Sequence, residues 1–327
     1  KSGKWLHANG KSVKSGRRFH ADGKSVKRVN GLHISYCHVP TQYYWQMYDT
    51  YMKNPGFGVL NPLVRLCFRL MVSPLRRADL KAAQRPDYFV TISEYSREMI
   101  KKYYGRESVV IHPPVEVTSF QTVLNDASRA RSRSRPSSRG SRSFVLGSSL
   151  RKIPQSTVQN FSEYYITTSR QVNWKRIDLA VEACMMTQRK LLVIGEGPEH
   201  NKLVKMAAGS GLVEFLPVMG KEELAKYLAG ARGYLFPSLE PFGIAPVEAL
   251  AAGCPVIAFG EGGACDYVTD GVNGVLFRDQ TAKSLAEAIM RFEKMKFDKE
   301  KIDELDKEYI QYYKDYKKLL DEILANQ

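Results

Sequence analysis

The chain has 327 residues, 43% of them hydrophobic and 25% charged, a globular composition long enough for about two domains. Its formal charge of +15 is local: residues 1–28 carry nine Lys/Arg against Asp22 alone, residues 127–152 carry eight with no acid, and the remainder is near −1. The basicity therefore belongs to two odd segments and says almost nothing about the globular part, for which a nucleic-acid partner is not expected.

From the N-terminus, HANGKSVK at 7–14 returns as HADGKSVK at 20–27. The repeat is too short and polar to bury a core, so residues 1–30 read as an irregular basic segment. LHISYCHVP (32–40) and DYFVTISE (87–94) read as strands, SREMIKKYYG (96–105) as a helix stopped by Gly105, and SVVIHPPVE (108–116) as a strand entering a Pro-Pro linker. About three strands are fewer than a doubly wound domain usually has, and residues 31–118 are expected to form a partial Rossmann-like domain. Between these strands, PLVRLCFRLMVSPLRRADLKAA (62–83) is apolar but carries Arg65, Arg69, Arg76 and Arg77. It reads either as a core-packing helix with a basic outer edge or as a helix lying on an anionic membrane. A span is not expected, because no stretch reaches about 18 uninterrupted apolar residues. The N-terminus shows lysines without an apolar signal core, so no secretory targeting is expected.

SRARSRSRPSSRGSRS (128–143) is low-complexity Arg/Ser, and residues 119–160 are expected to be an unstructured linker. Beyond it, YYITTS (164–169), KLLVIG (190–195), VEFLP (213–217), GYLFPS (233–238) and PVIAFG (255–260) read as strands. RIDLAVEAC (176–184), the stretch opened by GEGPE, KEELAKYLAG (221–230) and IAPVEALAAG (244–253) read as the intervening helices. Four or five strands with crossover helices make 161–297 a doubly wound parallel domain, which binds ligands at the carboxyl ends of its strands. Residues 298–327 are expected to form a C-terminal helix packing back on the N-terminal domain. The five cysteines, Cys37, Cys67, Cys184, Cys254 and Cys265, are odd in number with no CxxC pair, which favours reduced, buried thiols in a cytosolic protein over disulfides or zinc.

Several side chains fall at those strand ends. In SLEPFGIAPVEALAAGCPV (238–256), Glu240 precedes a helix on a loop, and Glu248 lies one to two turns into that helix, which begins near Gly243 and Ile244. A carboxylate behind a helix N-terminus can accept two hydrogen bonds from a vicinal diol such as a ribose. The plainer reading is a solvated loop acid and a helix-surface charge, which the apolar Ala249, Leu250 and Ala251 disfavour for Glu248. In SRQVNWKR (169–176), Arg170 and Lys175 are five apart in a strand-to-helix loop, a fork donor and a point charge suited to one diphosphate, or else two exposed cations. Gly195, Glu196 and Gly197 of GEGPE, and Gly262 and Gly263 of GEGGACD, form turns through which backbone can approach a phosphate or sugar, although any tight turn of this kind uses glycine. His38 of YCHVP sits at a strand end, facing a cleft if the two domains oppose each other, and is otherwise structural.

FPSLEPFGIAPVEALAAGCPVIA with GGACDYVTDGVNGVLF, SRQVNWKRID, VIGEGPE, TISEYSREMIKKYYG and VIHPPVE together resemble the retaining GT-B glycosyltransferases of group 1, or family four. The resemblance covers about 30–118 and 161–295, and YCHVPTQYYW with LRRADLKAA is nearest to bacterial polysaccharide mannosyltransferases. It implies two Rossmann-like domains facing a cleft, the N-terminal one incomplete, with a nucleotide-diphosphate sugar held by the C-terminal domain. By resemblance, Arg170 and Lys175 stabilise the departing diphosphate and Glu248 holds the ribose. Glu240, with the backbone of Phe242, Gly243 and Ile244, contacts the donor sugar, and His38 lies near the transferred sugar. No metal or other cofactor is required, since the work is electrostatic stabilisation of a leaving anion.

The expectation is therefore a retaining hexosyltransferase using GDP-mannose or a UDP-sugar on a glycan or lipid-linked acceptor. It would be cytoplasmic, with possible peripheral contact at the inner membrane face. The rivals are a donor-binding but inactive GT-B protein, an anion- or nucleic-acid-binding protein acting through its basic segments, and an epimerase or phosphorylase on the same fold.

Overall fold

The computed structural model describes residues 32–53, 55, 58–120, 164–297, 317–319 and 321–322, and the backbone of two short strands, β1 (Arg18–Phe19) and β2 (Ser25–Val26), paired antiparallel. The Arg/Ser tract, most of the tandem repeat and most of 298–327 lie outside the described residues.

In the C-terminal part six strands form one parallel sheet: β6 (Tyr164–Thr168), β7 (Lys190–Ile194), β8 (Val213–Leu216), β9 (Gly233–Phe236), β10 (Val256–Phe259) and β11 (Gly274–Phe277), in the order β11-β10-β9-β6-β7-β8. Alternate side chains of each strand enter different cores. Tyr164, Ile166, Tyr234, Phe236, Val256 and Ala258 face one cluster, and Tyr165, Leu191, Leu235, Ile257 and Phe259 the other. The first face is covered by α6 (Lys221–Gly230) and α7 (Ile244–Ala251), the second by α4 (Ile177–Thr187), α5 (His200–Ala207) and α8 (Ala282–Phe292). The sixth strand, β11, goes beyond the four or five expected. It is a four-residue edge strand straight after the turn around Gly271. Thr281, whose side chain accepts from the Ser284 amide at 3.2 Å, starts α8.

The N-terminal part has a three-stranded parallel sheet, β3 (Ile34–Tyr36), β4 (Tyr88–Thr91) and β5 (Val109–Val110), in that order. Helices α1 (Tyr48–Lys53), α2 (Asn61–Ala83) and α3 (Glu94–Tyr104) accompany it. Ser93 caps α3 through its hydroxyl, and Gly105 ends the helix at φ 63°. The helix thus starts two residues before the expected Ser96. Leu319 of the C-terminal segment joins a buried cluster with Val90 and Ile111 of this sheet.

The cysteines are all free, as expected, but of the expected buried thiols only Cys184 and Cys254 are buried; Cys37 is partly buried, and Cys67 and Cys265 are exposed. Burial pushes the thiols of Cys37 to about 11 and Cys184 to about 12, so both stay protonated and weakly nucleophilic.

Candidate functional site

The C-terminal sheet reverses direction between β6 and β9: the chain runs outward through β7 and β8, then returns past β6 to build β9, β10 and β11. At such a reversal the loops leaving the two central strands diverge and open a crevice beyond their carboxyl ends. The β6 exit holds Arg170 and Lys175, and the β9 exit holds Ser238 and Glu240.

Glycines set these loops. Gly195 has φ 128°, and a Cβ there would lie 2.2 Å from the Ser169 carbonyl oxygen; at Gly197 it would lie 2.4 Å from that of Gln171. The β7 exit is therefore pressed against the β6 exit, which is a sufficient packing reason for both glycines. Buried Gln171 fastens the contact: its amide donates to the Gly195 carbonyl, its side-chain oxygen meets His200 Nδ1 at 2.8 Å, and its backbone N–H donates to Glu196 at 2.8 Å. Across the crevice, a Cβ on Gly262 would lie 2.7 Å from the Glu240 carbonyl oxygen and one on Gly263 2.2 Å from that of Pro241. The Gly263 N–H also donates to the Glu240 carbonyl at 2.8 Å. Gly243, at φ 91°, lets Phe236 and Tyr267 close beneath the start of α7, and the Tyr267 hydroxyl donates to the Phe242 carbonyl at 2.8 Å. Phe242 is buried and Ile244 exposed.

On this frame Lys175 Nζ donates to Glu240 Oε1 at 2.6 Å, and Ser238 Oγ donates to the same oxygen at 2.6 Å. Both members of the ion pair are largely shielded from solvent. The sequence reading gave Lys175 to a diphosphate and Glu240 to a sugar as separate tasks; the structure instead joins them. Lys175 ends a short turn over Asn173–Lys175, after which Arg176 adopts φ 52° and its guanidinium reaches Asp178 and, at 3.2 Å, Gln280. Gln280 donates to the Pro237 carbonyl at 2.9 Å, so the two strand exits are tied behind the ion pair. Arg170 is exposed and its guanidinium makes no ion pair among the described residues.

Glu248 is the fifth residue of α7 and is half-buried. Burial raises its carboxyl above the usual carboxylate range, with Lys221 partly opposing and Glu116 adding to the rise. Its carboxylate takes no hydrogen bond among the described residues. The phenol of Tyr234 lies close enough to Glu240 and Glu248 for both to raise it further, burial being the larger cause. That hydroxyl donates to the Thr168 carbonyl at 2.9 Å and pins β9 to β6 at the reversal.

His38 is exposed in the bend after β3, its ring edge-on to that of Tyr36 at 5.3 Å. What crosses between the two sheets is different. The Glu94 amide, first in α3, donates to Asp266 Oδ2 at 2.8 Å; His112 Nδ1 lies 3.9 Å from the same oxygen; and the His112 and Phe242 rings are 5.6 Å apart. Burial raises the Asp266 carboxyl, and the Glu94 hydrogen bond opposes the rise. Gln171, Tyr234, Ser238, His112 and Asp266 were all missed as site residues. Gln171 lies in SRQVNWKR, Ser238 two positions before Glu240, Asp266 at the close of GEGGACD and His112 in VIHPPVE, so four of the five sit inside the quoted motifs, and Tyr234 lies in the strand GYLFPS. No cluster of three His, Cys, Asp or Glu among the described residues is placed to hold a metal ion.

A doubly wound parallel domain with cationic and carboxylate side chains at its reversal, joined to a second parallel sheet, defines an α/β protein of the GT-B type. The chain belongs to the group 1 glycosyl transferases, whose family model matches residues 151–315. It is 27% identical over 220 residues to the D-inositol 3-phosphate glycosyltransferase of Streptomyces griseus subsp. griseus, covering 61% of this chain and 44% of that protein. It is 26% identical over 235 residues to the GDP-mannose-dependent alpha-(1-6)-phosphatidylinositol monomannoside mannosyltransferase of Mycolicibacterium smegmatis, covering 67% of this chain and 56% of the other. The chain thus spans about half the length of these relatives. Its fold matches the sucrose-phosphate synthase of Thermosynechococcus elongatus with a TM-score of 0.55 at 21% identity, over 85% of this chain and 66% of that one. It also matches Anabaena HepE in complex with UDP with a TM-score of 0.54 at 18% identity, over 77% and 67%.

Proposed function

We propose that this chain is a retaining hexosyltransferase that binds a nucleotide-diphosphate sugar at the β6/β9 reversal and passes the hexose, mannose favoured, to a glycan or lipid-linked acceptor on the cytoplasmic side. The observation that carries the reading is the shielded Lys175–Glu240–Ser238 constellation together with Glu248, a half-buried carboxylate that takes no hydrogen bond among the described residues and, like Glu240, acts on the Tyr234 phenol. Such a carboxylate is costly unless a ligand completes it, and a ribose supplies two donors at once. The relatives named above for GDP-mannose and solved with UDP support a nucleotide-bearing donor, with the base open between the two.

In this reading Glu240 holds Lys175 in place before the donor arrives. When the bond from the anomeric carbon to the diphosphate oxygen breaks, the electron pair leaves with the diphosphate, and Lys175 and Arg170 meet the growing charge. Lys175, a cation fixed by Glu240 in a shielded crevice, stabilises that charge more than water does and needs no reorganisation, while exposed Arg170 is free to swing onto the diphosphate. Glu240, loaded by two donors on Oε1, keeps Oε2 for a sugar hydroxyl.

Titration calorimetry with UDP and GDP, followed by NMR of the anomeric configuration of the product, tests the assignment. A parent protein that binds neither nucleotide, or Lys175→Ala and Glu248→Gln variants that bind and turn over donor like the parent, would remove it. Binding without transfer or donor hydrolysis would leave a donor-binding protein that is not an enzyme.

A further inference from the structure

Helix α2 presents two apolar faces and has a described partner for only one. Its inner stripe runs through Val64, Phe68, Val72, Arg76, Asp79 and Ala83, three or four residues apart, as a packed helix face requires. Phe68 stacks on Tyr48 at 5.6 Å, Arg76 lies over the rings of Trp45 at 5.1 Å and Tyr48 at 4.9 Å, and Asp79 accepts from Trp45 Nε1 at 2.7 Å and the Tyr104 hydroxyl at 2.9 Å. The opposite stripe is Leu63, Leu66, Leu70 and Pro74, flanked by Cys67 and Met71; Leu70 is 70% exposed and the others are exposed as well. Val59 and Leu60 extend it into the turn before the helix.

Alongside the leucines runs a row spaced by multiples of four, Arg69, Arg77 and Lys81, all exposed. The sole acid of the helix, Asp79, is turned inward and fully engaged. The outward surface is therefore a convex apolar ridge with a cationic edge and no negative charge. Its complement is an apolar medium bearing anionic groups at its boundary. A convex ridge without a groove or knob suits a deformable layer better than a rigid protein surface.

We propose that α2 docks this outer face on an anionic lipid bilayer, lying flat with its leucines below the headgroups and Arg69, Arg77 and Lys81 among the phosphates. The segment Gly58–Ala83 is long and apolar enough to cross a bilayer by length and composition. The inner stripe, with Asp79 and Arg76 bonded into the N-terminal domain, fits a helix lying on the surface. This proposal stands apart from the transfer reading, since docking needs no donor.

The test is flotation of the full chain with phosphatidylcholine vesicles, with and without phosphatidylglycerol. The parent is expected to float only with the anionic vesicles, and a Leu66→Asp/Leu70→Asp variant, altered only at exposed positions, to lose affinity by on the order of a hundredfold. Arg69→Glu/Arg77→Glu should lose less and make the remainder less salt-sensitive. Unchanged circular dichroism and nucleotide affinity in the variants would show that the loss is not unfolding. Four results would overturn the proposal. The leucine variant could float like the parent, placing the binding on the basic segments. The parent could fail to float. Carbonate could fail to extract the bound protein, marking a span. Or the parent could form a dimer that the leucine variant breaks, marking a second copy as the occupant.

Discussion

The two parallel sheets of this protein solve the same packing problem unequally. The six strands of the C-terminal sheet are sandwiched between two large apolar clusters, and its polar side chains gather at one end, where the strand order reverses. The three-stranded sheet has two small clusters, one completed by Leu319 from the far end of the chain, and beside it a long helix turns leucines to solvent. A saturated core lets side chains at the strand ends be held to a few tenths of an ångström. A thin one leaves apolar surface for contact with something else. The proposed donor site lies on the first kind of scaffold, and the proposed bilayer contact on the second.

The strongest break of this contrast would be at Lys175. Lys175→Ala should lower turnover about a thousandfold, since it removes a fixed donor to the leaving group from a shielded site; an effect confined to KM would move Lys175 from the reaction to mere binding. Gly263→Ala should destabilise the C-terminal domain by about 3 kcal/mol, because its Cβ would lie 2.2 Å from the Pro241 carbonyl oxygen. A matching change at Gly105, where an added Cβ meets nothing within 4 Å but φ is 63°, should cost only about 1 kcal/mol. Urea melts followed by circular dichroism compare the two.

Glu248→Gln sharpens the division between stability and function. It should weaken nucleoside diphosphate binding roughly tenfold or more by calorimetry, as a charged acceptor becomes a neutral one. Yet the variant should melt at a higher temperature at neutral pH. Because burial raises the folded carboxyl, the unfolded chain binds fewer protons, and stability falls as pH rises from the ordinary carboxylate range through the raised value. Below that range the two proteins should melt alike. The smallest effect is expected at the boundary between the sheets: Asp266→Ala removes the acceptor of the Glu94 amide and should cost about 1 kcal/mol, seen as faster hydrogen exchange at that amide.

The C-terminal fold was largely legible in the sequence, because buried parallel strands are short β-branched runs separated by Gly-marked turns, and each of Gly195, Gly243 and Gly262 proves to need positive φ. Arg170, Lys175, Glu240 and Glu248 were legible as members of one domain's strand-end loops and first helical turns. What could not be read was their pairing. That Lys175 and Glu240, 65 positions apart, share one hydrogen bond depends on β6 and β9 being neighbours, a fact of strand order rather than of local pattern. His38 was legible as a strand-end residue, and it is exposed in the bend after β3 with its ring edge-on to Tyr36. The residues that cross between the sheets, Asp266 and His112, sit inside GEGGACD and VIHPPVE, but their meeting depends on how the two halves pack and not on either motif alone.

The segment Gly262–Asp266 does two jobs within five residues. Its glycines wedge under the backbone of Glu240 and Pro241, and its aspartate grips the first turn of α3 in the other half of the molecule. A hinge motion between the halves would therefore pull on the same short strut that sets the height of the Glu240 loop. Any change in the angle between the halves and the position of the Glu240 carboxylate would be mechanically one coordinate.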